Sequence, residues 1–231
     1  MANFVAPVIT IDGPSGSGKG TIARAVARSL GWHLLDSGAL YRLTALASSN
    51  AGVDLADAPR VAQVAGGMDV QFGSTDDANE FIRLDGRDVT REVRSEEAGH
   101  AASVVAQHAP VRTALLGRQR AFARPPGLVA DGRDMGTVIF PAAGLKLFLT
   151  ADAEERALRR HKQLKDKGID GSLSALSRDM VERDRRDSER SIAPLKPSDE
   201  ARILDTTGMD IPDVVAVVLR WVAERSVQKE Q

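Results

Sequence analysis

A glycine-rich segment with one lysine is the pattern in this sequence that most clearly indicates chemistry. Residues 13–21 read Gly-Pro-Ser-Gly-Ser-Gly-Lys-Gly-Thr. The glycines allow consecutive backbone N–H groups to turn toward one anion, and Lys19 can reach the terminal phosphates of a nucleotide. A helix starting at the end of the segment would add its positive dipole. The residues of this predicted ATP-binding loop are Gly13, Pro14, Ser15, Gly16, Ser17, Gly18, Lys19, Gly20 and Thr21.

The residue after the lysine departs from the general phosphate-loop pattern. That pattern places Ser or Thr there to hold Mg²⁺, whereas this chain has Gly20 followed by Thr21. Whether a hydroxyl ligates Mg²⁺ directly is therefore open. Lys-Gly-Thr is typical of nucleoside monophosphate kinases, and no Asn-Lys-x-Asp motif for reading guanine is present. The departure favours a kinase over a GTPase or a motor ATPase.

Four arginines are placed where they could neutralise the phosphate of an acceptor. Arg42 follows the second apolar run of the chain, and Arg133 follows a later one. Arg183 and Arg190 lie seven residues apart, about two turns along one face of a predicted helix. Each of these two could instead pair with acidic neighbours in solvent, the role that we assign to Arg185 and Arg186. An arginine-lined crevice suits two facing phosphates.

The acceptor chemistry needs no strong general base. A phosphate monoester is mostly ionised at pH 7, because its second pKa is about 6. Positioning and charge neutralisation then suffice for phosphoryl transfer. The four histidines show no ligand spacing, and we expect them to be structural or exposed.

Hydrophobic periodicity predicts the elements that position these residues. The β-branched run from Val8 to Ile11 stops at Asp-Gly, and a helix with apolar residues four apart follows the phosphate loop. This alternation of strand and helix predicts an α/β fold with a parallel sheet. Ligands bind at the carboxyl ends of such strands, so Lys19, Ser37 and Arg133 are expected in one crevice. The other four predicted core strands lie near residues 32–35, 128–130, 145–149 and 202–204.

A length of 231 residues suggests one full core with smaller attached pieces. Short apolar runs joined by polar turns predict a small antiparallel β insert, and a basic helical stretch predicts a lid. The fold class is thus a P-loop kinase, a five-stranded parallel sheet flanked by helices. The predicted regions are a core of residues 1–36, 127–152 and 191–231, an acceptor-binding region of residues 37–126 with the insert near 68–90, and a lid of residues 153–190.

Composition excludes several classes of protein. Lys and Arg number 31 against 32 Asp and Glu, so no net field attracts nucleic acid or an anionic membrane. The absence of cysteine excludes disulfides, thiolate zinc sites, iron–sulfur clusters and Cys nucleophiles. The first apolar run is too short for a signal peptide or a membrane span. We expect a cytoplasmic monomer that binds small molecules, without nucleic acid or membrane partners.

Four blocks of sequence resemble the bacterial cytidylate kinases, and the resemblance covers almost the whole chain. The most distinctive block includes Asp131 to Asp134, which other nucleoside monophosphate kinases do not show. The insert near residues 68–90 is typical of the bacterial type rather than of the shorter eukaryotic uridylate/cytidylate type. The four blocks are residues 11–21, 35–42, 130–137 and 182–190.

The resemblance implies ATP-dependent phosphorylation of CMP and dCMP to CDP and dCDP, with Mg²⁺. Lys19, Arg133, Arg183 and Arg190 would neutralise charge on the migrating group. Asp131 stands where a Walker-B-like acid would orient Mg²⁺ through water, and a structural hydrogen-bonding role is equally open. The resemblance assigns the acceptor phosphate to Ser37, Arg42, Arg133 and Arg190, the pentose to Arg183 and Asp187, and the base to Ser103, Arg112 and Asp134.

The base assignment agrees with the chemistry of cytosine. Its exocyclic amino group donates to a carboxylate, and its O2 and N3 atoms accept from a guanidinium. UMP would place O4 against Asp134 and leave that charge unpaired, which supports discrimination of about 10² or more. The alternatives are a kinase for UMP, AMP or shikimate, or a nucleotide-dependent switch. The missing guanine motif and the many arginines argue against the switch.

Overall fold

The structure is a computed structural model, and part of each predicted insertion falls outside what it describes. Residues 75–79 of the predicted β insert and residues 166–171 of the predicted lid are not among the described residues. The described residues are 6–74, 80–165 and 172–228.

The chain divides into two compact units. One consists of Met1–Asp36 with Arg120–Gln231, and the other of Ser37–Gln119. The strands are β1 (Val8–Asp12), β2 (His33–Asp36), β3 (Val70–Ser74), β4 (Glu80–Leu84), β5 (Arg87–Asp88), β6 (Leu128–Gly132), β7 (Leu145–Thr150) and β8 (Arg202–Asp205). The helices are α1 (Lys19–Leu30), α2 (Ser37–Asn50), α3 (Ala58–Gly67), α4 (Thr90–Val93), α5 (Glu96–Val105), α6 (Ala109–Arg120), α7 (Ala153–Lys165), α8 (Leu173–Glu189) and α9 (Ile211–Gln228).

The first unit contains the predicted parallel sheet. Its strand order is β2-β6-β1-β7-β8, and every neighbouring pair is parallel. β1 is central, with Ile9 opposite Val129 on one side and Leu145 on the other. The predicted five-stranded α/β core is therefore confirmed.

The core of this unit explains why the apolar runs become strands. Ile11, Leu147 and Leu149 are at most 1% exposed and pack in one cluster with α1 and α9. Both faces of the central strands are covered, so these strands read as continuous apolar runs instead of alternating ones. Burial of such side chains stabilises the sheet by about 1.5–3 kcal/mol each. The sheet thus holds the carboxyl ends of β1 and β6 side by side.

The second unit combines helices with the predicted antiparallel insert. β4 pairs antiparallel with both β3 and β5. The third strand of the insert is only two residues long, Arg87–Asp88. The Asp88 carboxylate accepts from the backbone N–H of Thr90 at 2.9 Å and from its hydroxyl at 2.7 Å. This local bonding turns the chain into α4 instead of prolonging the strand.

Besides α4, two further features were not predicted. α3 is capped by Asp57, whose carboxylate accepts from the backbone N–H of Arg60 at 3.2 Å. A π-helical turn over Met135–Ile139 follows β6. Within the described ranges, none of the helices combines the length and apolar character that a bilayer span requires.

Candidate active site

The glycine-rich segment joins β1 to α1, as predicted. Gly18 has a φ of 82° and precedes the helix, and its carbonyl accepts from the N–H of Thr21 at 3.0 Å and of Ile22 at 3.1 Å. Gly16 has a φ of 74°. Both lie in the left-handed region that glycine enters without strain, so other residues here would distort the loop. The loop therefore makes a tight turn into the start of α1.

Lys19 is buried at the first position of α1. Its Nζ atom donates to the carbonyl oxygen of Pro14 at 3.0 Å, which folds the side chain over the loop. Burial lowers the pKa of Lys19 well below its usual value, and the nearby Arg133 guanidinium lowers that pKa further. A bound polyphosphate would supply the opposite charge that favours the ammonium form. The side chain is thus poised for an anionic ligand.

Asp131 in β6 lies directly beside the residue that departs from the general pattern. A Cβ atom at Gly20 would stand 2.9 Å from Asp131 Oδ2, so a serine or threonine would crowd this carboxylate. Asp131 is buried, and its Oδ1 atom accepts no hydrogen bond from the described residues. Burial raises the pKa of Asp131, against the attraction of Lys19. The absence of a side chain at Gly20 therefore leaves the space that the buried Asp131 carboxylate occupies.

Arg133 and Asp187 form a buried ion pair at the end of β6. Arg133 Nε donates to Asp187 Oδ2 at 2.8 Å, with side chains 16% and 6% exposed. Burial opposes both charges, but mutual attraction outweighs it, so the pKa of Arg133 is raised and that of Asp187 is lowered. Both groups are ionised at neutral pH. Arg190 Nε donates to the Asp187 carbonyl at 3.2 Å, which brings these three residues together.

The charge of Arg183 acts on the same cluster from α8. Arg183 is half-buried, and it lowers the pKa of both Lys19 and Asp187 after the larger effects already named. Arg185, two residues further along the helix, pairs with Glu182 and Glu189 in solvent, as predicted. The structure therefore separates the arginines of α8 into an inward group and a surface group.

Asp134 is buried at the start of the π-helical turn, and an acid that the sequence analysis missed holds this turn. Asp12 accepts from the backbone N–H of Met135 and of Gly136, both at 2.8 Å. Burial raises the pKa of Asp12 to about 6, although these two hydrogen bonds lower it in part. The backbone that carries Asp134 is thereby tied to the end of β1. The only sequence signal for this role of Asp12 was its position between a buried strand and Gly13.

Four predicted acceptor residues belong to the second unit. α2 carries Ser37 and Arg42, α5 carries Ser103, and α6 carries Arg112. Arg42 Nη1 donates to the carbonyl oxygens of Val93 at 2.9 Å and of Ser95 at 2.7 Å. This guanidinium therefore joins α2 to the ends of α4 and α5.

Ser103 and Arg112 are both buried polar residues in this unit. The Ser103 hydroxyl has no hydrogen-bond partner among the described residues. The Arg112 guanidinium lies 5.8 Å from the centroid of the Tyr41 ring. A buried hydroxyl without a partner is unusual, and it is suited to a ligand.

A phosphate loop at the carboxyl end of the central strand of a parallel sheet, with a buried lysine and a buried arginine–carboxylate cluster, defines a P-loop phosphotransferase. The model of the cytidylate kinase family matches residues 9–224. The chain belongs to the cytidylate kinase family, which confirms the resemblance noted in the sequence. The match does not favour a UMP, AMP or shikimate kinase, or a switch protein.

Individual relatives agree with the family match. The cytidylate kinase of Bordetella bronchiseptica is 58% identical over 214 residues, covering 93% of this chain and 94% of the relative. That of Pseudomonas paraeruginosa is 56% identical over 218 residues, covering 94% and 95%. The crystal structure of an uncharacterized protein from Eubacterium ventriosum has a TM-score of 0.51 at 9% identity, covering 94% of this chain and 98% of that one. The last likeness concerns the fold alone.

Proposed function

We propose that this enzyme transfers the γ-phosphoryl group of ATP to CMP and dCMP, releasing ADP with CDP or dCDP. The observation that carries the proposal is the cluster around Lys19, in which Arg133 and Asp131 lie beside the phosphate loop of a cytidylate kinase family member. Transfer between two phosphates needs cationic groups at the reacting oxygens. This cluster supplies them in a setting largely shielded from water.

Residues 13–21 hold the phosphates of ATP in this proposal. Backbone N–H groups of the loop other than that of Ser15 bind the phosphate oxygens, and Lys19 exchanges its contact with the Pro14 carbonyl for the terminal phosphates. The negative charge of the nucleotide restores the ammonium form of Lys19. The lysine thus stabilises the charge that moves from donor to acceptor.

The acceptor is bound by the residues that the family resemblance assigns. The Asp134 carboxylate accepts from the amino group of cytosine, and Arg112 donates to its O2 and N3 atoms. Arg133 is held by Asp187, so its remaining N–H groups have a defined direction toward a phosphate. The full assignment is Ser37, Arg42, Arg133 and Arg190 for the phosphate, Arg183 and Asp187 for the pentose, and Ser103, Arg112 and Asp134 for the base.

Mg²⁺ would bind together with ATP, and Asp131 is the residue whose carboxylate would contact it. Within residues 6–74, 80–165 and 172–228, no three His, Cys, Asp or Glu side chains form a metal cluster. Mg²⁺ in such enzymes keeps several waters and uses one or two carboxylates plus substrate phosphates. The unpartnered Oδ1 atom of buried Asp131 fits one of these places, directly or through water. The bound ion would neutralise charge on the phosphates.

The Asp131→Asn variant tests this metal contact. We expect the Mg²⁺ concentration for half-maximal rate to rise about tenfold, because a neutral amide is a weaker ligand than a carboxylate. The measurement is a Mg²⁺ titration at saturating ATP and CMP. Asp199→Asn, at an exposed site, is the matched control. An Mg²⁺ dependence equal to that of the parent would assign Asp131 a purely structural role.

We propose a core of residues 1–36, 127–152 and 191–231, an acceptor region of residues 37–126, and a lid of residues 153–190 that excludes water during transfer. We also propose a cytoplasmic monomer that acts on small molecules without nucleic acid or membrane. The near-zero net charge and the absence of cysteine support this setting.

A panel of acceptors in a coupled assay of ADP release tests the function. CMP and dCMP are expected to be phosphorylated with kcat/KM about 10²-fold or more above UMP, since O4 of uracil would meet a carboxylate. AMP and shikimate are expected to give background rates. Rapid turnover of AMP with none of CMP would overturn the assignment of the acceptor.

A further inference from the structure

An arginine on one helix and an aspartate on another hydrogen-bond to the backbone of Ser15, the tip of the phosphate loop. The backbone N–H of Ser15 donates to Asp184 Oδ1 at 3.0 Å. Arg156 Nη1 donates to the backbone carbonyl oxygen of Ser15 at 2.7 Å. Arg156 lies on α7 and Asp184 on α8, so both polar groups of one loop residue are held by side chains distant in sequence.

The two side chains also bind each other. Arg156 Nη1 donates to Asp184 Oδ2 at 2.5 Å, with side chains 10% and 18% exposed. Arg156 Nε donates to the carbonyl of Ala151, the residue after β7, at 3.1 Å. One guanidinium therefore connects the end of a core strand, the loop and α8. Charge-assisted hydrogen bonds of this kind are strong and directional.

The neighbouring glycine shows how closely the loop rests on this pair. A Cβ atom at Gly16 would stand 2.4 Å from Met180 Cε and 3.1 Å from both Cβ and the carbonyl oxygen of Arg156. A loop rich in glycine has many accessible conformations when nothing restrains it. Here α7 and α8 restrain its tip by contact and by hydrogen bonds.

We infer that Arg156 and Asp184 are positioning residues that keep the phosphate loop in its binding conformation. This inference rests on the proposed role of residues 13–21 in binding ATP. Neither side chain is assigned a contact with nucleotide or acceptor. They hold the Ser15 region in place before ATP binds. ATP binding therefore loses less conformational entropy, as in other preorganised sites.

ATP affinity measured by calorimetry without any acceptor is the direct test. Asp184→Asn retains the shape of the side chain but loses its charge, and Arg156→Met removes all three donated hydrogen bonds. We expect each variant to raise the Kd of ATP at least about tenfold. The double variant is expected to resemble the more affected single variant, because the pair acts as one unit. The KM of CMP should stay within about twofold of the parent value.

Two controls separate positioning from general damage. Asp179→Asn and Arg185→Met change exposed residues of α8 and should leave the Kd of ATP unchanged. Urea unfolding of each variant gives the folded fraction, to which every Kd is corrected. Should Arg156→Met not fold, Asp184→Asn and Asp184→Glu still decide the question.

An unchanged Kd of ATP in the folded variants would overturn the inference, whatever the loss of stability. Additive effects in the double variant, or an equal loss of CMP affinity, would do the same. Failure of the parent protein to phosphorylate CMP would instead contradict the proposed acceptor. It would leave the measurement of ATP binding valid.

Discussion

Replacement of Lys19 by methionine is expected to lower kcat about 10³-fold, the upper range for removing one preorganised donor from a transition state. Methionine fills a similar volume without a charge, so the fold should persist. The lysine is buried, and no bulk water can replace its ammonium group at the terminal phosphates. The measurement is the rate of ADP release at saturating ATP and CMP.

Proton uptake provides an independent measure of the same residue. Burial, then Arg133, lowers the pKa of Lys19 in the nucleotide-free protein, so part of the population is neutral at pH 8. ATP favours the charged form, and binding should therefore take up a proton. Calorimetry in buffers of different ionisation enthalpy detects this uptake, which Lys19→Met should lose. Lys162→Met, at an exposed site of α7, is the control. A kcat within tenfold of the parent value would rule out this role of Lys19.

Replacement of Asp134 by alanine is expected to lower kcat/KM for CMP about 10²-fold or more while ATP affinity survives. Without the carboxylate, the amino group of cytosine loses its acceptor in a buried place. The π-helical turn after Asp134 should remain, because Asp12 holds the N–H groups of Met135 and Gly136 independently of the Asp134 side chain. The preference for CMP over UMP should fall at the same time.

The acceptor panel, run with Asp134→Ala beside the parent, checks this expectation. Asp199→Ala is the surface control. Turnover of CMP equal to that of the parent would remove Asp134 from the base-reading role. A matching loss of ATP affinity would instead indicate that the substitution had displaced the π-helical turn and its neighbours.

The structure bears out those sequence predictions that depend on neighbours along the chain. A β-branched run that stops at Asp12-Gly13 is sufficient to indicate a buried strand before a phosphate loop. Ser95 caps α5, a position that serine commonly occupies, with its Oγ atom accepting from the N–H of Ala98 at 3.1 Å. In contrast, the sequence carried no signal for the π-helical turn, because the acid that supports it lies 123 residues away.

Contacts between distant residues account for what the sequence analysis missed at the site. The sequence analysis did not pair Asp187 with Arg133, because Arg133 lies 54 residues earlier in the chain. Asp184 was passed over for the same reason, because its partner Arg156 lies on another helix. Periodicity places a side chain on a face of its helix, and it does not say which element covers that face.

Sequence alone determined the phosphate loop, the parallel α/β class and the family, because each depends on short runs of residues whose spacing sets the backbone. Only the tertiary structure decided the strand order, the carboxylate beside Gly20 and the partners of the inward arginines. Those depend on which distant residues are buried together. A buried charge is stable only where packing brings it an opposite charge or a hydrogen-bond donor.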